Sequence, residues 1–386
     1  MQNISNYTWD QLKTEFSFVS DMFAQPGAIE SFVNFYTGAD GKAMLLGFKE
    51  EWDNTAYTSV IVTGMGSSLF AAHQAEMAFQ QAGVPCNVID AGELLYYALS
   101  GGSKSDNRDR RKILYILISQ SGESAEIAKI VGIIAEQYPD AGLWGITNTA
   151  SSTLAKKAKR TAYLHAGTEL SVTTKTFSNT LLLMYLLPRV LLSPSNADAA
   201  ACIDDFAREA RDLVKDLDHL FSEQSGLGDR MVAFMGKDVR QIEIIARGTS
   251  LATAQQAALN IKETNKIPAE AITGGQFRHG PIEIVNKDFR CFVLTSDDST
   301  RALAEDIAWN ITHKWGGGKA IFVTNKRVAN FEGESRLLPV VHGITNPYLA
   351  PVMEIAIIQL FMARLAASCN IGPGVFKYTS KITKEG

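Results

Sequence analysis

Residues 112–124 read KILYILISQSGES. The run from Ile113 to Ile118 is wholly apolar, the pattern of a parallel strand covered on both faces. Ser119-Gln120-Ser121-Gly122-Glu123-Ser124 closes the strand, and helical periodicity then continues to about Gln137. A strand end that meets a helix start offers free backbone N–H groups and the positive end of the helix dipole. Serine hydroxyls add donors, and Gly122 lets the backbone approach a ligand. The loop suits an anion, most naturally a phosphate. A plain Ser-rich N-cap is the structural alternative. No lysine follows as it does in a nucleoside-triphosphate loop.

The same strand–turn–helix unit recurs on either side. Upstream, residues 57–63 form a β-branched run, followed by Gly64-Met65-Gly66-Ser67-Ser68 and a helix over 69–81. Neighbouring strands of one sheet would aim this turn and the Ser119–Ser124 loop at one crevice. Short strands are expected at 86–89, 143–147 and 161–165, and a helix through Leu192 ends the unit. In the second half, strands are expected at Met231–Met235, Ile242–Ala246, 288–295, 319–324 and 337–342, with a helix over 251–264 and a long apolar helix over 350–369. The chain is therefore an α/β protein with two repeats of about 150 residues, the usual size of a domain.

Residues 1–50 read as an N-terminal helical segment in which Gln25-Pro26-Gly27 marks a turn. The first domain is placed at 51–194, a connecting amphipathic helix at 195–227, the second domain at 228–370 and a polar tail at 371–386.

Bulk composition narrows the function. The 386 residues are 46% hydrophobic and 20% charged, with a formal net charge of −4. That balance gives no electrostatic footprint for nucleic acid. Cys86, Cys202, Cys291 and Cys369 are widely spaced and suggest neither zinc nor a disulfide framework. No metal or other cofactor is expected. The first residues lack a basic start and a signal-peptide core, and the apolar run near Leu181–Leu192 is broken by Pro188 and Arg189. The expectation is a cytoplasmic protein without a membrane partner.

One further stretch carries chemistry. Residues 242–281 read IEIIARGTSLATAQQAALNIKETNKIPAEAITGGQFRHGP. They supply a carboxylate, Glu263, on a helix and an imidazole, His279, just before a Gly-Pro stop. A carboxylate can shuttle a proton between adjacent carbons, and histidine titrates near neutrality. Taken alone, a glutamate beside Lys262 is more often a solvated helix residue, and a histidine before Gly-Pro more often a turn residue.

SQSGES after an apolar strand, GTELSVTTK at 167–175 and NIKETNKIPAEAITGGQFRHGP at 260–281 together resemble the SIS (sugar isomerase) family. The likeness is strongest to the isomerase part of glucosamine-6-phosphate synthase and to stand-alone phosphosugar isomerases, deaminases and fructosamine-phosphate deglycases. It implies two tandem SIS domains, each a five-stranded parallel sheet flanked by helices on both faces in a flavodoxin-like three-layer sandwich. It implies a homodimer with shared active sites and sugar-phosphate binding by Ser67, Ser68, Ser119, Gln120, Ser121, Ser124 and Thr173. It further implies that Glu263 moves a proton between sugar carbons C1 and C2, and that His279 of a second subunit opens the ring. Lys381 in the tail best matches the family's lysine for the open-chain sugar, with Lys377 as the alternative.

Three departures bear on the reaction. Asn260 stands where the synthase has lysine, and Gln276 stands where an acid is usual. Residue 2 is Gln and the first cysteine is Cys86, so glutamine-dependent amidotransfer is not expected of this chain. The expected function is aldose–ketose isomerisation or deamination of an amino-hexose 6-phosphate. The alternatives are deglycation of a fructosamine 6-phosphate, giving glucose 6-phosphate and an amine, or a sugar-phosphate sensor without turnover.

Overall fold

The computed structural model describes residues 3–99, 112–223 and 226–378. Its contacts divide the chain into two compact units. One is built on Gly27–Glu169 and Lys175–Asp212, the other on Met1–Pro26, Leu170–Thr174 and Leu213–Lys377.

The first unit carries β1 (Ser59–Gly64), β2 (Cys86–Asp90), β3 (Ile113–Ile118), β4 (Gly142–Thr147) and β5 (Arg160–Tyr163). They form one parallel sheet in the order β2-β1-β3-β4-β5. Every residue of β3 and β4 is buried. The reason is visible in the alternation of β3. Ile113, Tyr115 and Leu117 join a cluster with Ile127, Ile130, Val131 and Ile134 of the Ala125–Gln137 helix. Their neighbours Leu114, Ile116 and Ile118 point to the opposite face and are buried as well. The Ser67–Gln81 and Lys175–Leu191 helices pack against each other in the same unit.

The second unit repeats the design. It carries β6 (Ile242–Ala246), β7 (Ala269–Thr273), β8 (Arg290–Thr295), β9 (Lys319–Thr324) and β10 (Leu337–Val341), all parallel, in the order β10-β9-β8-β6-β7. Read from β7, this is the order of the first sheet. Cys291 and Val293 of β8 meet Ala304, Ile307 and Ile311 of the Arg301–His313 helix on one face. The Ala350–Ser368 helix packs against both the Ser250–Asn265 and Leu227–Met235 helices. It is long and apolar enough to cross a membrane, but 94% of its most apolar window is buried within the protein. The two five-stranded sheets bear out the expected α/β architecture of two parallel-sheet domains flanked by helices.

Three local expectations are corrected. Met231–Met235 is the end of the Leu227–Met235 helix and not a strand. Its buried residues Leu227, Met231, Val232 and Met235 recur at helical spacing. Gln25-Pro26-Gly27 is no turn but the start of the Gln25–Thr37 helix. Proline lacks only an N–H that has no intrahelical partner in the first turn. Strand β7 went unrecognised because it lies at the sheet edge and is mostly half-exposed, so it has no apolar run. Residues 100–111 lie outside the described residues.

A buried acid anchors the second unit. Glu354, in the first turns of the Ala350–Ser368 helix, is fully buried, and Ser250 Oγ (2.8 Å) and Ser296 Oγ (2.6 Å) both donate to its Oε1. Its Oε2 has no partner. Burial raises its pKa from 4.5 to about 7, against the smaller opposing effect of these hydrogen bonds. The acid is bound more tightly to its proton in the fold than in the unfolded chain. The wild type therefore loses stability as pH rises from 4.5 to about 7, by up to about 3 kcal/mol. Thermal melts of Glu354→Gln beside wild type should show a difference that grows in the variant's favour over that window and levels off above it. A difference independent of pH would mean that Glu354 is not an acid held protonated by burial.

Candidate functional site

In an open parallel sheet, ligands bind outside the carboxyl ends of the strands where the strand order turns back. In the first unit that point lies between β1 and β3. The register pairs Thr63 with Leu117, so the loops that follow, Gly64–Ser68 and Ser119–Ser124, leave the sheet side by side. Gly64 makes this approach possible, since a Cβ there would stand 2.9 Å from the Ile118 carbonyl and from Ser68 Cβ. Gly66 takes a positive φ of 51° and turns the chain into the Ser67–Gln81 helix without a side-chain cap.

Within the Ser119–Ser124 loop, Ser119 Oγ lies 3.2 Å from Ser124 Oγ and accepts the Gly122 N–H at 3.0 Å. Ser121 Oγ accepts the Glu123 N–H at 3.2 Å, which leaves its own proton available for donation. Gly122 has a φ of +67°, and a Cβ there would stand 2.2 Å from Ser152 Oγ. The Gln120 carbonyl is held by the Asn148 N–H (3.0 Å) and Thr147 Oγ1 (3.1 Å). Among the described residues, the Gln120 amide and the Ser67 and Ser68 hydroxyls form no side-chain hydrogen bond, and the buried Thr63 hydroxyl also lacks a partner. The only carboxylate of the loop is engaged elsewhere. Glu123 accepts the Thr153 N–H at 2.7 Å and Thr153 Oγ1 at 2.9 Å, and these bonds hold its pKa below the usual range. What remains is a concentration of neutral donors at a helix start, the chemistry of a phosphate site.

The second sheet has the same strand order but a different filling. The hydroxyls at its switch point are Ser250, after β6, and Ser296, after β8, and both are given to Glu354. His342 completes the group. Its Nδ1 accepts the Ile344 N–H, which assigns the ring proton to Nε2, 3.3 Å from Ser296 Oγ. Burial, then the charge of Arg301, push the His342 pKa down to about 3, so the ring is neutral. A protein carboxyl thus occupies the place that donors leave open in the first sheet.

Around Glu263 the second unit brings several groups together. Glu263 is half-buried on the Ser250–Asn265 helix. One turn earlier, buried Asn260 donates to the Thr173 carbonyl at 3.0 Å and accepts from Gln256 Nε2 at 2.6 Å. One turn later, Lys266 caps the helix with a φ of +60°, and its Nζ donates to the Glu263 carbonyl and, at 2.7 Å, to the Val375 carbonyl. The tail is also fixed by Ser171 Oγ, which donates to the Gly374 carbonyl at 2.7 Å. Burial lowers the Lys266 pKa; the Glu263 charge opposes that shift and the Lys377 charge adds to it. Glu263, Asn260, Thr173, Lys266 and Lys377 therefore form one neighbourhood.

The predicted residues fall into separate groups. Ser67, Ser68, Ser119, Gln120, Ser121 and Ser124 converge in the first unit, and Thr173 and Glu263 share a neighbourhood in the second. His279 is exposed at the end of the Gly274–Arg278 helix, and no hydrogen bond or ion pair links its ring to Glu263. Lys381 lies outside the described residues. Lys266 was missed by sequence reasoning, although a lysine one turn past the candidate base was a usable signal.

Comparison with known proteins agrees with this architecture. The chain is 29% identical over 271 residues, 69% of its length, to glutamine–fructose-6-phosphate aminotransferase (isomerizing) of Pyrococcus horikoshii, and spans 41% of that protein. The corresponding protein of Escherichia coli is 27% identical over 296 residues, 74% of this chain and 44% of its own length. The chain thus spans less than half the length of these relatives. In fold it is similar to the C-terminal domain of glucosamine-fructose-6-phosphate aminotransferase from Francisella tularensis, with a TM-score of 0.78 at 21% identity over 96% of this chain and 98% of that one. It is also similar to tagatose-6-phosphate ketose/aldose isomerase from E. coli, with a TM-score of 0.74 at 18% identity over 95% of each chain. The SIS domain model matches residues 56–188 and again 237–353, so the chain belongs to the SIS domain family and carries the domain twice.

Proposed function

We propose that this chain is a phosphosugar enzyme that moves a proton between C1 and C2 of an amino-hexose 6-phosphate, as an isomerase or deaminase of the glucosamine-6-phosphate/fructose-6-phosphate type. One observation carries the reading: the switch point of the first sheet keeps Ser67, Ser68, Ser121 and Gln120 available as donors, whereas Glu354 fills that of the second. The phosphate is assigned to the first crevice, where it supplies binding energy remote from the reacting carbons.

Glu263 is assigned the proton. As the carboxylate it takes the proton from C2 of the open-chain sugar and returns it to C1, while a second proton passes from the C2 oxygen or nitrogen to the C1 carbonyl oxygen, so that C1 ends as a CH2–OH and C2 as a carbonyl or imine. In the deaminase version, water then replaces the nitrogen and ammonia leaves. His279, supplied by a second copy of the chain, is assigned ring opening. It passes a proton to the ring oxygen as the anomeric hydroxyl loses one.

A second reading, deglycation of a fructosamine 6-phosphate, draws on Asn260. Its amide is neutral and already held between Gln256 and Thr173, so it sets no charge against a substituted nitrogen. Incubation with glucosamine 6-phosphate and with a fructosamine 6-phosphate, followed by assays for ammonia, fructose 6-phosphate and glucose 6-phosphate, separates the two. A folded protein that turns over neither would contradict both.

Glu263→Gln should lower turnover at least about a hundredfold and leave sugar-phosphate affinity nearly unchanged. Retained turnover would place the proton carrier elsewhere. Ser121→Ala should weaken binding at least about tenfold, the loss of one hydrogen bond to a charged group, and calorimetric titration reads this directly. Mixing inactive Glu263→Gln and His279→Ala proteins should restore part of the activity. A mixture that stays inactive would mean that both residues must come from one chain.

A further inference from the structure

Lys266 ends the Ser250–Asn265 helix in a left-handed conformation, φ +60°. That position usually falls to glycine or asparagine, because a side chain there costs about 1 kcal/mol. A helix end needs its last carbonyls satisfied, and glycine followed by backbone bonds would do so. Here the lysine head does it by reaching back to the Glu263 carbonyl, and it takes the Val375 carbonyl with a second N–H. Among the described residues no carboxylate lies within ion-pairing distance of Lys266 Nζ. Its charge is met by two carbonyls and by the more distant Glu263 carboxylate.

The segment that Lys266 holds is fixed elsewhere too. Ser171 Oγ binds the Gly374 carbonyl, and Gly374 lies so close to Phe18 that a Cβ would stand 2.3 Å from that residue's own. Lys377 follows two residues after Val375, and its charge reaches Lys266. Lys266 thus joins the end of the Glu263 helix to the chain segment that carries Lys377.

We propose that Lys266 is a positioning residue for the Glu263 base: its ammonium fastens the Gly374–Val375 segment to the end of the Glu263 helix and keeps a positive charge near the carboxylate. This rests on the reading of Glu263 as the proton carrier. Lys266 touches no reacting atom; it acts through the base and the tail.

Two readouts test it on the full chain. In pH–rate profiles with glucosamine 6-phosphate, Lys266→Met should lower kcat about tenfold with little change in KM. It should also move the acid limb up by about one pH unit, because a carboxylate that loses a nearby cation is protonated more readily. Lys266→Arg, which keeps the charge, should recover most of both. Independently of turnover, trypsin should cut after Lys377 about tenfold faster in Lys266→Met than in wild type, as the tail loses its tether. If Lys266→Met does not fold, Lys266→Gly removes the head while relieving the left-handed turn, and carries the same expectations. An unmoved acid limb with unchanged tryptic cleavage in the folded variant overturns the proposal. Glu263→Gln run in parallel separates the levels. If it is inactive while the Lys266 variants behave as wild type, only the positioning role falls. If it remains active, the base assignment falls and the positioning role with it.

Discussion

In both sheets the strand order turns back at the first strand, and the rest of the molecule is arranged by that constraint. A parallel strand must be reached by a crossover, and the crossovers before and after the turning point run to opposite faces. The loops at the carboxyl ends of the two central strands are therefore left without a helix across them. The wholly buried strands β3 and β4 make the first sheet rigid, and Gly64 and Gly122 bring backbone closer than any side chain would allow. A donor-rich crevice is the consequence of strand order and two glycines.

The repeats share this geometry and differ in what they do with it. In the second sheet Glu354 accepts hydrogen bonds from the Ser250 and Ser296 hydroxyls, and neutral His342 closes the group. A buried carboxyl there fills the space and satisfies the donors that would have held a phosphate. At the fifth residue of the corresponding helix in the first unit stands Asn179, whose amide is turned to the backbone carbonyls of Ala28 and Leu164. The second unit contributes different chemistry, the carboxylate of Glu263 between the tether of Asn260 to Thr173 and that of Lys266 to Val375.

Much of this was legible in the chain. Apolar runs such as Ile113–Ile118 announced strands buried on both faces, and their alternation with helical stretches announced the parallel sheets. The crevice loops were visible as serine- and glycine-rich turns from strand to helix, although an ordinary N-cap reads the same way. What escaped was context. β7 is a half-exposed edge strand with no apolar signature, and Met231–Met235 is apolar enough for either element until its packing partners are known. The role of Glu354 was hidden for the same reason. A glutamate in a long apolar helix shows nothing of the two serines, 58 and 104 residues earlier, that hold it. Lys266 carried a signal, its place one turn past Glu263, but a lysine at a helix end is common enough to pass over.

The central claim is that only the first of the two crevices receives the phosphate. The position of that group in a crystal grown with glucosamine 6-phosphate tests it most directly. The account predicts phosphate density above the Ser119–Ser124 loop, with Ser67, Ser68 and Ser121 within hydrogen-bonding reach, and none beside Ser250 and Ser296. A phosphate seated against Ser250 and Ser296, with Glu354 displaced, would contradict it.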